Sequence, residues 1–312
     1  MIKDSLTYKI TQSFPFFSKT ASLGMPKIYA FDQRPCEQWY QEGMAPLLEA
    51  VGQNIHFPVF RISHGELHLA LGRRLRPDAT AKQKMAHCYH KVKQILRLEA
   101  PHREGPTVNG TWEIFSQDEL ESARARYIPA LRNIAKDGLL AACFQTNPSY
   151  AEYFPDYFDW LDANEIPFHR GNYVPFYGVY SMAFGPDSKK IFQGRSVLII
   201  NYLPEEKQSR LREAMADRDV ADVQFISIRP DKALFQDLDL SKVSSEIDVV
   251  LLGAGCGAAP MTEQLRSLKA VIIDAGFVID ALAQPEARWK RPFCVSDDEF
   301  DQEKIKFKTN FV

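Results

Sequence analysis

An alternation in the second half of the chain constrains the fold most. Four short apolar runs, at 195–200, 223–228, 248–253 and 270–274, read as strands, and the first has the composition of a strand buried on both faces. Helical stretches at 204–216 and 262–268 lie between the first two runs and between the last two. A strand, a helix and a further strand in succession imply parallel pairing and right-handed crossovers. A helix opening on a proline, as at Pro204, fits that order.

The first half continues the pattern less regularly. An amphipathic helix is expected over 38–51 and a strand over 57–62, with a helix directly after it. Further helices are expected over 81–98 and 116–138, the second capped by Ser116 and stopped at Gly138. Residues 139–144 read as a buried strand, 147–164 as helical and aromatic, and 167–185 as aromatic loop or edge strand. The basic segment 73–78 and the Pro/Gly/His-rich stretch 100–110 read as loops. The expected fold class is α/β, a Rossmann-like, mostly parallel sheet flanked by helices. The expected organisation is an arm over 1–34, an α/β lobe over 35–187 and a Rossmann-like lobe over 188–312.

Composition narrows the function classes. With 312 residues, 45% of them hydrophobic, the chain can bury a sizeable core. A formal net charge of -2 carries no electrostatic footprint for nucleic acid, though a local phosphate pocket is compatible with it. No apolar run is long enough for a transmembrane helix, and the first 22 residues lack the apolar core of a signal peptide. The five cysteines (Cys36, Cys88, Cys143, Cys256, Cys294) are odd in number, scattered and free of any CxxC pair. Neither a disulfide framework nor a thiolate zinc site is expected, and a reducing cytoplasm is the natural setting. Oligomeric state leaves no signature.

The most reactive stretch is FPVFRISHGELHLAL, residues 57–71. A strand pattern stops at Ser63-His64-Gly65, and a helix starts at once with Glu66 in its first turn. Arg61, His64 and Glu66 thus gather at the carboxyl end of a strand, where open α/β sheets bind ligands. The plain alternatives are a helix-favoured acid for Glu66 and an ion pair to Glu66 or Asp274 for Arg61. His64 and His68 stand at i, i+4, a spacing that can share a metal. Glu66 does not directly follow His64, so the H-E-x-x-H protease pattern is not met. His87 and His90 form a second pair, more simply read as solvated.

A second motif, Gly253-Ala-Gly255-Cys-Gly257-Ala258, fits G-x-G-x-x-A between a strand and a helix. Asp274 lies about 20 residues beyond Gly253, where a ribose-binding acid would stand. This supports an alternative function, an NAD- or S-adenosylmethionine-dependent enzyme. The plain reading is a tight turn in a doubly wound sheet. Asn201 and Tyr202 close the 195–200 strand on the same side, within reach of a nucleobase. The aromatic run Tyr173, Phe176, Tyr177 and Tyr180 reads as packing rather than site.

Two segments together resemble the glycosyltransferases of the GT-D fold. That family carries a motif close to R-F-G-D-G-E, a D-x-E metal and nucleotide-sugar site. Arg61-Ile62-Ser63-His64-Gly65-Glu66 matches it at Arg61, Gly65 and Glu66, with Ile62 at the aromatic position. The family closes its sheet with a glycine-bearing strand-turn-helix and then D-x-G-x-x-x-D. Here these are residues 249–257, then Asp274, Gly276 and Asp280. The resemblance covers residues 57–282. It implies a GT-D-type architecture and transfer of a sugar from a nucleotide-sugar donor to a glycan, lipid-linked or protein acceptor.

The family's Asp falls on His64 here, and the glycine before it on Ser63. A neutral imidazole removes one negative charge, so manganese is favoured over magnesium. Three outcomes stay open. His64 and Glu66 ligate a softer ion, or a protonated His64 contacts the diphosphate without metal, or transfer is lost and only nucleotide or glycan binding remains. Within the resemblance, Glu66, His64 and Asp274 are the expected catalytic residues. Arg61, Ser63, Gly65, Asn201, Gly253, Gly255, Gly257 and Asp280 are the expected donor-binding residues. Arg61 would meet phosphate oxygens through its planar fork. Asp274 or Asp280 would act as acceptor base or bond a sugar hydroxyl.

Overall fold

The strands form where apolar residues run without interruption. In a computed structural model, Ser196–Asn201 (β6), Val249–Leu252 (β8) and Val271–Asp274 (β9) are buried along nearly their whole length. The model describes residues 16–20, 25–30, 36–71, 117–142, 154–175, 178–185, 187–229, 232–244 and 246–284. Phe57–Ile62 (β3), Leu139–Ala142 (β4), Tyr173–Pro175 (β5) and Asp222–Ser227 (β7) complete a seven-stranded sheet. Its order is β5-β4-β3-β9-β8-β6-β7, and every pair is parallel.

Strand alternation splits the core between the two faces. Phe60, Ile62, Leu198, Ile200, Val250, Leu252 and Ile272 point into one cluster. Val59, Val197, Ile199, Val249, Leu251, Val271 and Ile273 point into the other. Helices cover both sides, which is why these strands read as continuous apolar runs. The first face takes His64–Leu71 (α2), Gln117–Asp137 (α3), Phe154–Ala163 (α4) and Ala258–Gln264 (α8). The second takes Cys36–Gln53 (α1), Gly178–Phe184 (α5), Ser188–Phe192 (α6), Glu205–Ala216 (α7) and Phe277–Ala283 (α9).

Strand order fixes where a ligand crevice opens. The chain leaves β6 outward to β7 but leaves β8 inward to β9, so connections diverge between two neighbouring strands. Such a switch point is the usual ligand crevice of an open α/β sheet. The segments 35–187 and 188–312 meet at the β3–β9 pair, with Phe57 opposite Val271 and Val59 opposite Ile273. One sheet therefore crosses the division read from the sequence.

Several local expectations change. The arm contains an antiparallel pair, Phe16–Thr20 (β1) with Met25–Ala30 (β2), in place of irregular chain. The region 167–185 holds edge strand β5 and also α5, whose Val179, Tyr180 and Ala183 share one buried face. The expected boundary at 188–195 holds α6, fastened by buried Ile191 and Phe192. The helix expected from 262 begins at Ala258, with Pro260 in its first turn, and ends in a 3-10 turn over Arg266–Leu268. The expected elements at 81–98, 73–78 and 100–110 lie outside the described residues. So do Ser116, His87, His90, Phe176, Tyr177, Cys88, Cys143, Cys294 and the side chains of His64 and His68.

Candidate functional site

The turn between β3 and α2 is built by its own sequence. Glu66 Oε2 accepts hydrogen bonds from the Ser63 backbone N–H at 3.0 Å and the Ser63 hydroxyl at 2.5 Å. Leu67 N–H donates to the Ser63 carbonyl at 3.0 Å, closing the first helical turn. Ser63-x-x-Glu66 is thus a helix-capping pair. That spacing is legible in the sequence, and Ser63, expected among the donor-binding residues, also serves the cap. Glu66 is 3% exposed, so the cap fixes a buried carboxylate.

Asp274 ends β9, the strand beside β3. Its Oδ2 accepts from the Arg61 backbone N–H at 3.2 Å and its Oδ1 from Arg61 Nη2 at 3.3 Å. Of the two partners open to Arg61, the ion pair takes Asp274. Burial pushes the Asp274 carboxyl up to about 6, with the Glu66 charge adding to the rise and Arg61 opposing it. Burial also works against the Arg61 charge, but Asp274, Tyr180 and Glu66 together hold the guanidinium firmly protonated. The backbone at Gly276 (φ +46°) passes directly beneath that guanidinium, and a Cβ there would collide with it.

The glycine turn follows β8. Gly255 is exposed and left-handed (φ +53°). The other two glycines admit the chain's own neighbours. A Cβ at Gly253 would strike the Asn201 amide, and one at Gly257 the Ala233 carbonyl. Cys256 between them is buried, and its thiol donates to Glu66. Burial first, and then the Glu66 charge, push that thiol well above its ordinary range. Glu66 and the 255–257 turn therefore stand side by side. Tyr127 of α3 and Tyr157 of α4 close this cluster from behind. Burial, and for both the Glu66 charge, raise their hydroxyl pKa values. The two hydroxyls are near each other, yet neither meets a partner with good hydrogen-bond geometry among the described residues.

A second group lies at the switch point. Lys207, in the first turn of α7, donates to Asn201 Oδ1 at 3.2 Å and to Asp280 Oδ1 at 2.6 Å. Sequence reasoning singled out Asn201 and Asp280 but missed Lys207. The signal was its place one turn into the helix that follows the 195–200 strand. Gly253 touches both Asn201 and Ile279, so the two groups adjoin across the carboxyl ends of β6, β8, β9 and β3. Gly65 is buried in the first turn of α2.

The arrangement offers a buried carboxyl that ionises near pH 6, a paired guanidinium, a fixed carboxylate and an exposed backbone turn. Perturbed groups of this kind cluster at functional sites, although structural ion pairs produce them too. Among the described residues, no three His, Cys, Asp or Glu side chains are placed to hold a metal. Glu66 Oε2 serves the cap and both Asp274 oxygens face Arg61, so these acids alone do not make a coordination sphere. Comparison with protein-family models, with curated proteins and with solved structures finds no match.

Proposed function

We propose that this chain is a glycosyltransferase-like enzyme, moving a sugar from a nucleotide-sugar donor to a glycan, lipid-linked or protein acceptor. The observation that carries the reading is the convergence of Arg61, Glu66, Asp274 and the Gly253–Gly257 turn at the carboxyl ends of three neighbouring strands. These are the segments that resemble the GT-D donor site. The donor diphosphate lies over the exposed Gly255 backbone. The acceptor oxygen forms its bond to the anomeric carbon as the bond from that carbon to the diphosphate oxygen breaks. The nucleoside diphosphate leaves. Asp274, 3% exposed and with both oxygens on Arg61, positions that guanidinium at the cleft edge rather than meeting the acceptor itself. A divalent cation, manganese in preference to magnesium, would supply Lewis-acid chemistry at the leaving diphosphate. Glu66 and His64 are the residues that would hold it.

The dinucleotide alternative draws less support. Gly253 and Gly257 serve internal packing, and Asp274 is 3% exposed and turned to Arg61 rather than to a ribose. The cysteine usage supports a reducing, cytoplasmic setting. Among the described residues, no helix is long and apolar enough to cross a membrane.

A thermal-shift and hydrolysis panel tests the reading, with nucleoside diphosphates, nucleotide sugars, NAD and S-adenosylmethionine, each with and without manganese. Stabilisation by a nucleoside diphosphate is expected by mass action, together with slow donor hydrolysis. Glu66→Gln keeps an acceptor for the Ser63 N–H, so the fold should survive while turnover falls. Stabilisation by NAD or S-adenosylmethionine alone overturns the proposal. Nucleotide binding with neither hydrolysis nor transfer identifies a non-catalytic binding protein instead.

A further inference from the structure

Asp274 and Asp280 both lie at the carboxyl edge of the sheet, but they differ in what they can reach. Asp274 is 3% exposed and both its oxygens face Arg61. The Asp280 side chain is 47% exposed, against 5% for that of Asp274, and Lys207 holds its Oδ1 at 2.6 Å. Among the described residues, Asp280 Oδ2 makes no hydrogen bond. The Lys207 side chain is only 16% exposed and is pinned a second time by Asn201. The carboxylate is therefore oriented but keeps an oxygen for a ligand. This pair stands at the β6/β8 switch point, where the Asn201 amide packs on Gly253 and the next residue, Tyr202, is 55% exposed.

We propose that Asp280, oriented by Lys207, binds a vicinal diol of the nucleotide ligand. A carboxylate with one fixed and one available oxygen accepts from adjacent hydroxyls. The neighbouring ammonium balances its charge, so the pair suits an uncharged diol better than a phosphate. The exposed Tyr202, next in sequence to Asn201, offers a flat face for a base or a sugar. Two parts of the ligand carry that chemistry, the ribose of the nucleotide and the transferred hexose. The inference rests on the nucleotide-sugar reading above and names Asp280, not Asp274, as the hydroxyl-binding acid.

The test measures affinities of wild type and Asp280→Asn by calorimetry. The ligands are the tightest-binding of UDP, GDP, CDP and ADP, its 2′-deoxy counterpart and the corresponding nucleotide sugar. Asparagine still offers an oxygen to Lys207, and the melting temperature of the free variant verifies that it folds. For a ribose diol, wild type prefers the ribonucleotide by about tenfold, and the preference collapses in the variant. For a hexose diol, only the nucleotide sugar loses about tenfold in the variant. Lys207→Gln should weaken the same preference. An Asp280→Asn protein that binds all three ligands as wild type does, or loses all three equally, overturns the diol subsite and leaves the transferase reading standing. A wild-type protein that binds no nucleoside diphosphate and no nucleotide sugar overturns both.

Discussion

Gly276→Ala tests the way the site is held together. The perturbation acts twice. Gly276 has a φ of +46°, a region that costs a residue with a Cβ about 1–3 kcal/mol. The new methyl would also overlap the Arg61 guanidinium and push it off Asp274. The side chains of that ion pair are 14% and 5% exposed, so water screens it little. Separating a buried pair costs about 3–5 kcal/mol as an upper range. A total loss of at least about 3 kcal/mol is therefore expected, a large share of the roughly 5–15 kcal/mol that holds a domain folded. Gly194→Ala is the internal control, since Gly194 has a φ of +70° with no neighbour within 4 Å of an added Cβ. It should show the backbone cost alone. Urea unfolding at constant m-value gives both losses. In an Arg61→Met background the Gly276→Ala loss should shrink toward that of Gly194→Ala, because the two perturbations share one contact. A Gly276→Ala loss no larger than the Gly194→Ala loss would refute the reasoning.

Three other expectations concern buried or half-buried polar groups. Asp274 ionises at about 6 when folded, above the ordinary aspartate value of 3.8. Its contribution to stability is thus full below about 4 and is lost as pH rises toward 6, so the wild-type minus Asp274→Asn stability difference should fall across that window. A flat difference removes the shift. His56 is held below its ordinary range, first by burial and then by Arg266, and neither ring nitrogen has a hydrogen-bond partner among the described residues. Its stability contribution is present above about 6.5 and is lost as pH falls through the lower folded value, so His56→Leu should flatten the stability profile below neutrality. Unchanged acid sensitivity in that variant would count against a half-buried neutral ring. Tyr127→Phe and Tyr157→Phe each remove a buried hydroxyl without a well-formed hydrogen bond, and denaturation midpoints should stay level or rise. A drop of more than about 1 kcal/mol in either would show that the hydroxyl has a good partner in solution.

Sequence alone determined the parallel strands, the strand-to-helix turn at Ser63 and the glycine turn after β8. Each depends on neighbours in the chain. A strand covered on both faces must be apolar throughout, as 249–252 is. Ser63 caps its helix through a residue three positions on. Tertiary structure alone decided that β9 lies beside β3, because strand order follows from which helices fit over which face and leaves no local period. It also decided the partner of Arg61, which two acids could have filled. Lys207 gained its place in the same way, through a carboxylate some seventy residues away. The helix at Gly178–Phe184 was masked in the sequence by an aromatic run that also suits an edge strand, and burial of one face resolved it. Local periodicity fixes which residues turn inward, while long-range packing fixes which charges meet there.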